Sequence, residues 1–404
     1  MFKYRHLFFL PSFYLFVTFS VAYSFYVIDV ISWEHPPIEL HIWSIITILF
    51  SFISILNHHF SFRNEINATA FKHNIQSNSL INWKAYILLI LISFLGILGI
   101  IKYVLDYAKF AGAFGILMSV FIEDTGQLRT MADNVESWGT QVSYFSWIAS
   151  FIIVYHIANK QLSKWWFFFL FIILVLNALF LDRTRPVWII FTCSLSYFMA
   201  TYYKYSRRTI VFVIASIALF FISIFIAIGS VLGKGADDEY FLNYGLPRWT
   251  QSFFSYLTSS FAYLGRLISY ELPASYEPVR ILYPIEKILA KSSLVNQPPS
   301  QILEFFSVPI LTNVGTFLEP FFQDGARVFM ALAIIIHTFL FDSLALKLMK
   351  NINVFGVICL ATLCFINFIA FFVPRINSTA TWFIFLMSYL LFLLDVYNKK
   401  KSTI

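Results

Sequence analysis

Long apolar runs separated by short polar breaks dominate this chain and leave few architectures open to it. Runs fit to span a bilayer occur near residues 7–31, 40–57, 85–105, 141–158, 165–181, 187–203, 210–232, 326–346, 352–373 and 381–396. A helical span needs roughly 20 predominantly apolar residues to cross about 30 Å of hydrocarbon, so ten spans would take up about half of such a chain. Hydrophobic residues make up 59% of the sequence and charged residues 12%, with a mean hydropathy of +0.75. Soluble domains carry about 25% charged residues, so a water-soluble enzyme is excluded. The expected fold is an all-α polytopic membrane protein of about 10, and at most 12, transmembrane helices. The first run is long and lacks a small-residue cleavage pattern, which predicts a span and not a removable signal. Cys193, Cys359 and Cys364 all fall in apolar runs and read as small core residues.

Orientation follows from the basic residues of the short loops. With a cytoplasmic N-terminus, the inner segments hold Lys3, Arg5, Arg63, Lys72, Lys84, Lys160, Lys164, Lys204, Arg207, Arg208, Lys347, Lys350 and Lys399 to Lys401. Most other basic residues fall in two long outer segments, near 106–140 and 233–325, which translocate largely regardless of charge. Both termini are therefore predicted to be cytoplasmic. The chain divides into residues 1–232, with seven helices and the outer segment 106–140; a large outer loop at 233–325; and residues 326–404, with three helices and a basic tail. Phe110–Phe121 is apolar but too short to span, and suits a re-entrant or interfacial segment. Within the large loop, Phe253, Leu257, Phe261, Leu264 and Ile268 recur at helical spacing with Ser255, Thr258 and Ser259 between them. That pattern predicts an amphipathic helix lying on the outer membrane surface.

The two faces use different cations. The inner segments are mainly Lys, whereas the outer ones carry Arg129, Arg183, Arg185, Arg248, Arg266, Arg280, Arg327 and Arg375. Lys suffices for topology; the planar guanidinium offers a donor fork matched to phosphate or carboxylate. The alternative for each Arg is interfacial snorkelling or pairing with a nearby acid. Because the basic residues are scattered between apolar runs, they give no nucleic-acid stripe.

Asp182-Arg183-Thr184-Arg185-Pro186 forms a tight outer turn before the sixth span. With Pro186 at the first helical position, free helix amides and two guanidinium groups would converge, which predicts a diphosphate seat. Asp182 could instead neutralise one arginine. Asp324, Gly325 and Arg327 lie where the large loop re-enters the membrane, with Asp324 a candidate helix cap. Arg327 in a first helical turn opposes the helix dipole unless it pairs with Glu319 or Asp324 or binds an anion. Arg375, beside Asn377 and Ser378, is placed to join the same site. Asp237, Asp238 and Glu239 read as a solvated loop, with a divalent-cation site as the alternative, and Gly233-Lys234-Gly235 lacks the spacing of a nucleotide loop. His58, His59 and His73 fall in an inner loop without zinc-ligand spacing, while His156 and His337 lie inside spans, where a polar residue is a functional candidate by default, with reach to water at the inner span ends as the alternative.

The ten-span plan, "LDRTRPVW", "SFFSYLTSSFAYLGRLI" and "NVGTFLEPFFQDGARVFM" resemble the O-antigen polymerase family (Wzy-type oligosaccharide repeat-unit polymerases). In that family an Asn-x-x-Thr stretch followed by Asp-Gly closes the large periplasmic loop; here these are Asn313, Thr316, Asp324 and Gly325. The resemblance implies a bacterial inner-membrane glycosyltransferase, compatible with a GT-C-like architecture, acting on undecaprenyl-diphosphate-linked oligosaccharides and needing no cofactor. Arg183, Arg185, Arg327 and Arg375 would stabilise the departing diphosphate. Asp324, ahead of Glu319, would serve as base for the attacking hydroxyl. Arg248, Arg266, Asn313, Thr316, Trp249 and Tyr256, with Tyr244, would bind or stack on sugar. A Wzz-type chain-length regulator and a flippase are the implied partners. An O-antigen ligase is the nearest alternative, disfavoured because residues 233–325 contain no His. A flippase is disfavoured by the long loop and the nearly charge-free spans.

Overall fold

The computed structural model describes residues 5–33, 35–65, 83–111, 135, 137–178, 180, 184–201, 248–270, 276–299, 303, 306–308, 311–350 and 353–402. A 3₁₀ turn (Arg5–Phe9) leads into α1 (Pro11–Val27), followed by α2 (Ile38–Glu65), α3 (Trp83–Ala111), α4 (Gly139–Ala158), α5 (Trp166–Ala178) and α6 (Thr184–Thr201). Then come α7 (Arg248–Ser269), α8 (Tyr283–Lys291) and α9 (Glu319–Ile335). A π-helical turn (Ile336–Leu340) leads into α10 (Phe341–Lys350), α11 (Val354–Phe368) and α12 (Thr379–Ser402). Between α8 and α9, β1 (Phe306–Ser307) and β2 (Leu311–Thr312) pair antiparallel, Phe306 opposite Thr312.

Every expected apolar run falls on a helix except 210–232, which lies outside the described residues. Also outside them are Phe110–Phe121 apart from the end of α3, His73, Asp182, Arg183, Gly233–Gly235, Asp237–Glu239 and Tyr244. Helices at 38–60, 86–109, 139–158 and 319–349 are long and apolar enough to cross a membrane, and four shorter apolar helices accompany them. The chain is thus a mostly helical membrane protein. α2 continues past the expected end of its span, so His58 sits on a helix and not in a loop. α6 starts at Thr184, which makes Pro186 its third residue and not its first; the missing N–H still falls in the first turn, where none is needed.

The chain forms two compact units, the first of Met1–Ile66, Ile222–Lys347 and Thr362–Trp382, the second of Asn67–Phe221, Leu348–Ala361 and Phe383–Ile404. In the first unit, Leu15, Phe19, Ala22 and Tyr26 of α1 share a core with Leu257, Phe261, Leu264 and Ile268 of α7 and with Phe317, Leu318 and Phe321. Phe19 meets the rings of Phe261 and Phe317 edge-on at 5.0 and 5.9 Å. The expected amphipathic helix is therefore present as α7, but its apolar stripe is buried in protein instead of resting on a lipid surface. Thr258 and Ser260 are buried too, each with a hydrogen-bond partner. Thr258 accepts the Trp33 indole N–H at 3.1 Å, and Ser260 donates to the Phe371 carbonyl.

α9 is broken. Gly325 and Ala326 leave helical geometry, Ala326 reaching φ 49°, ψ −139°. A side-chain-bearing residue held there costs on the order of 1–3 kcal/mol. Glycine is required one position earlier, since a Cβ on Gly325 would lie 2.2 Å from the Phe329 ring.

In the second unit, α4 is buried along most of its length against α3, α5 and α6. Small residues make the α3–α4 seam, as in helix pairs that associate within lipid. A Cβ on Gly96 would fall 2.2 Å from the Ser146 backbone nitrogen, and one on Gly99 2.5 Å from that of Ser143. Polar bonds add specificity: the Trp147 indole donates to Asn177 Oδ1 at 2.8 Å, and Asn177 Nδ2 donates to Ser146 Oγ at 3.2 Å.

Overpacking a close helix seam costs about 1–3 kcal/mol or more. Gly99→Leu is expected to lower the thermal unfolding midpoint of the detergent-solubilised protein or to abolish its folded yield. The adjacent Leu98→Ala, at a position 40% exposed, should leave the midpoint nearly unchanged.

Candidate functional site

The first unit carries a partly open cavity of about 110 Å³ assembled from stretches far apart in sequence. Arg280 and Tyr283 come from the entry to α8, Asn313 and Gly315 from the turn after β2, Glu319 and Pro320 from the first turn of α9, and Arg375, Asn377 and Ser378 from the α11–α12 connection.

Each wall is fixed by local bonds. Thr316, fully buried, accepts the Leu318 N–H on its hydroxyl at 3.3 Å and the Glu319 N–H on its carbonyl at 3.1 Å. Phe317 N–H donates to the Ala370 carbonyl at 2.8 Å, joining this turn to the end of α11. Gly315 is needed because a Cβ there would lie 2.7 Å from Glu319 Cβ and Cγ. The α11–α12 connection is closed by Ser378 and Thr381, both donating to the Arg375 carbonyl, and by the Trp382 indole donating to Ile376 at 2.9 Å.

Glu319 is 2% exposed and accepts from Gln323 Nε2. As the first residue of α9 it gains from the positive end of the helix dipole. Asp324 is also buried, but its Oδ2 accepts the backbone N–H groups of Arg280 at 2.8 Å and Ile281 at 2.9 Å. Both carboxyls feel the charge of Arg280. The arrangement reverses the order that the sequence suggests: Glu319 lines the cavity, while Asp324 holds backbone.

The arginines divide similarly. Arg375 lines the cavity as expected, together with Asn313. Arg327 pairs with neither Glu319 nor Asp324; it makes a bidentate ion pair with Glu39 of α2, at 2.5 and 2.9 Å. Arg185 belongs to the second unit, where its guanidinium lies 3.7 Å from the Phe180 ring centroid and 5.3 Å from that of Tyr144, and donates to Ser143 Oγ at 3.1 Å. Buried among aromatic rings, it reads as a packed cation and not as half of an open arginine pair. Arg266 bonds the Tyr270 hydroxyl at 2.7 Å, Tyr256 packs on Phe372, and Thr316 is a turn residue; none of them lines the cavity. Arg248 and Trp249 open α7. Arg183 lies outside the described residues.

The sequence reading passed over three features. Arg280 stood in the outer arginine set without distinction, and Glu39 was not recognised as the partner of Arg327. Asp342, a lone acid in an apolar run, is fully buried; it accepts from Ser12 N–H at 3.0 Å and Ser54 Oγ at 2.7 Å, with His58 Nδ1 3.7 Å away. His337 is likewise buried and does not reach water: its Nδ1 meets Asn367 Oδ1 at 2.7 Å, and Asn367 Nδ2 donates to the His337 carbonyl. Since that amide nitrogen faces a carbonyl, the oxygen must face a protonated Nδ1. No group of three or more His, Cys, Asp or Glu among the described residues is placed to hold a metal ion.

Fold and cavity together define a helical membrane protein with a buried carboxyl and arginine-lined walls. No family model, characterised protein or solved structure matches the chain.

The Arg327–Glu39 pair is partly exposed, and such pairs contribute about 0–1 kcal/mol. A double-mutant cycle with Arg327→Gln and Glu39→Gln, read by thermal unfolding in detergent, should give a coupling within that range, smaller at high salt.

Proposed function

We propose that the protein is a glycosyltransferase of the O-antigen polymerase class in a bacterial inner membrane, with about ten spans and its large loop in the periplasm. The observation that carries this reading is the cavity, which gathers a buried carboxyl, guanidinium groups, amides and a hydroxyl beside apolar helices. That set suits a ligand that is hydroxylated at one end and anionic at the other while carrying a lipid.

In the proposed reaction, a hydroxyl oxygen of a new lipid-linked repeat unit attacks the anomeric carbon of the growing chain. The bond from that carbon to the diphosphate oxygen breaks, and undecaprenyl diphosphate leaves with the electron pair. The hydroxyl proton passes to Glu319, the carboxylate lining the cavity. Arg375 stabilises the charge that develops on the departing diphosphate. Asn313, Asn377 and Ser378 supply hydrogen bonds to sugar. A chain-length regulator and a flippase remain the proposed partners.

The test is complementation of a deletion strain, read on a gel of surface polysaccharide. The deletion should leave core capped with single repeat units, and wild-type protein should restore the ladder. Glu319→Gln should lose a factor of about 10²–10⁴ in rate, the usual worth of a general base, and show no ladder at an unchanged membrane level. A normal ladder from Glu319→Gln would remove its assignment as base. Loss of every repeat unit in the deletion would instead point to a ligase or a flippase.

A further inference from the structure

The backbone of Arg280 is held on both sides of its Cα. Its own N–H and that of Ile281 converge on Asp324 Oδ2 at 2.8 and 2.9 Å, and its carbonyl accepts from Asn377 Nδ2 at 3.1 Å. With the peptide groups on both sides of its Cα pinned, the direction of its Cα–Cβ bond is set. Arg280 lines the cavity, and among the described residues its guanidinium makes no hydrogen bond or ion pair. By contrast, Arg327 is engaged by Glu39, Arg266 by Tyr270 and Arg185 by Ser143. The carboxylate that holds Arg280 stands beside the strained break at Gly325–Ala326. A buried acid, a strained backbone and an amide from the α11–α12 connection thus all converge on one arginine whose guanidinium has no hydrogen-bond partner among the described residues.

We propose that Arg280 is, beside Arg375, a phosphate-class anion ligand of this cavity, and that Asp324 and Asn377 are positioning residues acting through it. The guanidinium fork matches two phosphate oxygens at once. That the anion is a lipid diphosphate rests on the glycosyltransferase reading; the seat itself does not.

Asp324 and a catalytic base respond differently to substitution. Asparagine keeps an oxygen that accepts both N–H groups, so Asp324→Asn preserves the position of Arg280, whereas Asp324→Ala releases it. A base would be lost equally in both variants.

The experiment titrates full-length protein in nanodiscs with inorganic pyrophosphate and, in a second arm, with a polyprenyl diphosphate, by calorimetry. A hydrogen-bonded charged group contributes about 1.5–3 kcal/mol, which corresponds to roughly a ten- to hundredfold change in affinity. Arg280→Ala should weaken binding of both probes by about that factor. Asp324→Asn should stay near wild type, and Asp324→Ala should match Arg280→Ala. The double variant Arg280→Ala/Asp324→Ala should bind no more weakly than Arg280→Ala alone, because residues acting through one contact are not additive. If Asp324→Ala does not fold, Asn377→Ala takes its place in the same cycle. Unchanged binding in Arg280→Ala, equal losses in Asp324→Asn and Asp324→Ala, or additive losses in the double variant would each overturn the proposal. Pyrophosphate binding that depends on Arg280, with no binding of the polyprenyl diphosphate, would support the seat while removing its lipid-linked function.

Discussion

Two backbone amides, those of Arg280 and Ile281, meet one carboxylate oxygen of Asp324 where helix α9 is broken, and the cavity depends on that junction. A buried carboxylate is costly without hydrogen bonds, and irregular chain such as 276–282 leaves backbone donors that also need partners. Each supplies what the other lacks. The contact spans 44 positions of sequence; it secures the entry to α8 against α9 and thereby brings Arg280 and Tyr283 to the same space as Glu319. Asn377 completes the attachment from the α11–α12 connection.

The break itself follows from the same economy of partners. Ala326 holds a backbone conformation that only glycine adopts easily, and Gly325 leaves no room for a side chain against Phe329. On one side of the break Asp324 fixes the cavity wall; on the other, Arg327 grips Glu39 at the start of α2. The two residues lie close in sequence but serve different contacts, Asp324 holding backbone and Arg327 pairing with Glu39.

The sequence made the helices legible and left the partnerships hidden. Apolar runs of spanning length have few alternatives, so α2, α3, α4 and α9–α10 follow from hydrophobic pattern alone. α7 was legible as a helix from its spacing, but Thr258 and Ser260 look like a solvated face until Trp33 and Phe371 are known to meet them. The choice between Glu319 and Asp324 could not be read from a motif containing both, because what separates them is a pair of amides from residues 280 and 281. Arg327 and Glu39 are 288 positions apart, beyond any pattern of local spacing. Asn313, singled out by the family resemblance, and Arg375, singled out in a short polar break, both line the cavity. Arg280 sits in a comparable break, but nothing in its neighbours marks how its backbone is held.

The most direct measurement is reconstitution of the purified protein in bilayers with a synthetic polyprenyl-diphosphate-linked repeat unit, with products resolved by mass spectrometry. Glycosyl transfer at the Glu319 cavity predicts lipid-linked products that grow by whole repeat units, with one free polyprenyl diphosphate released per step. Substrate returned unchanged, or sugar transferred only when a lipid A-core acceptor is added, would contradict it.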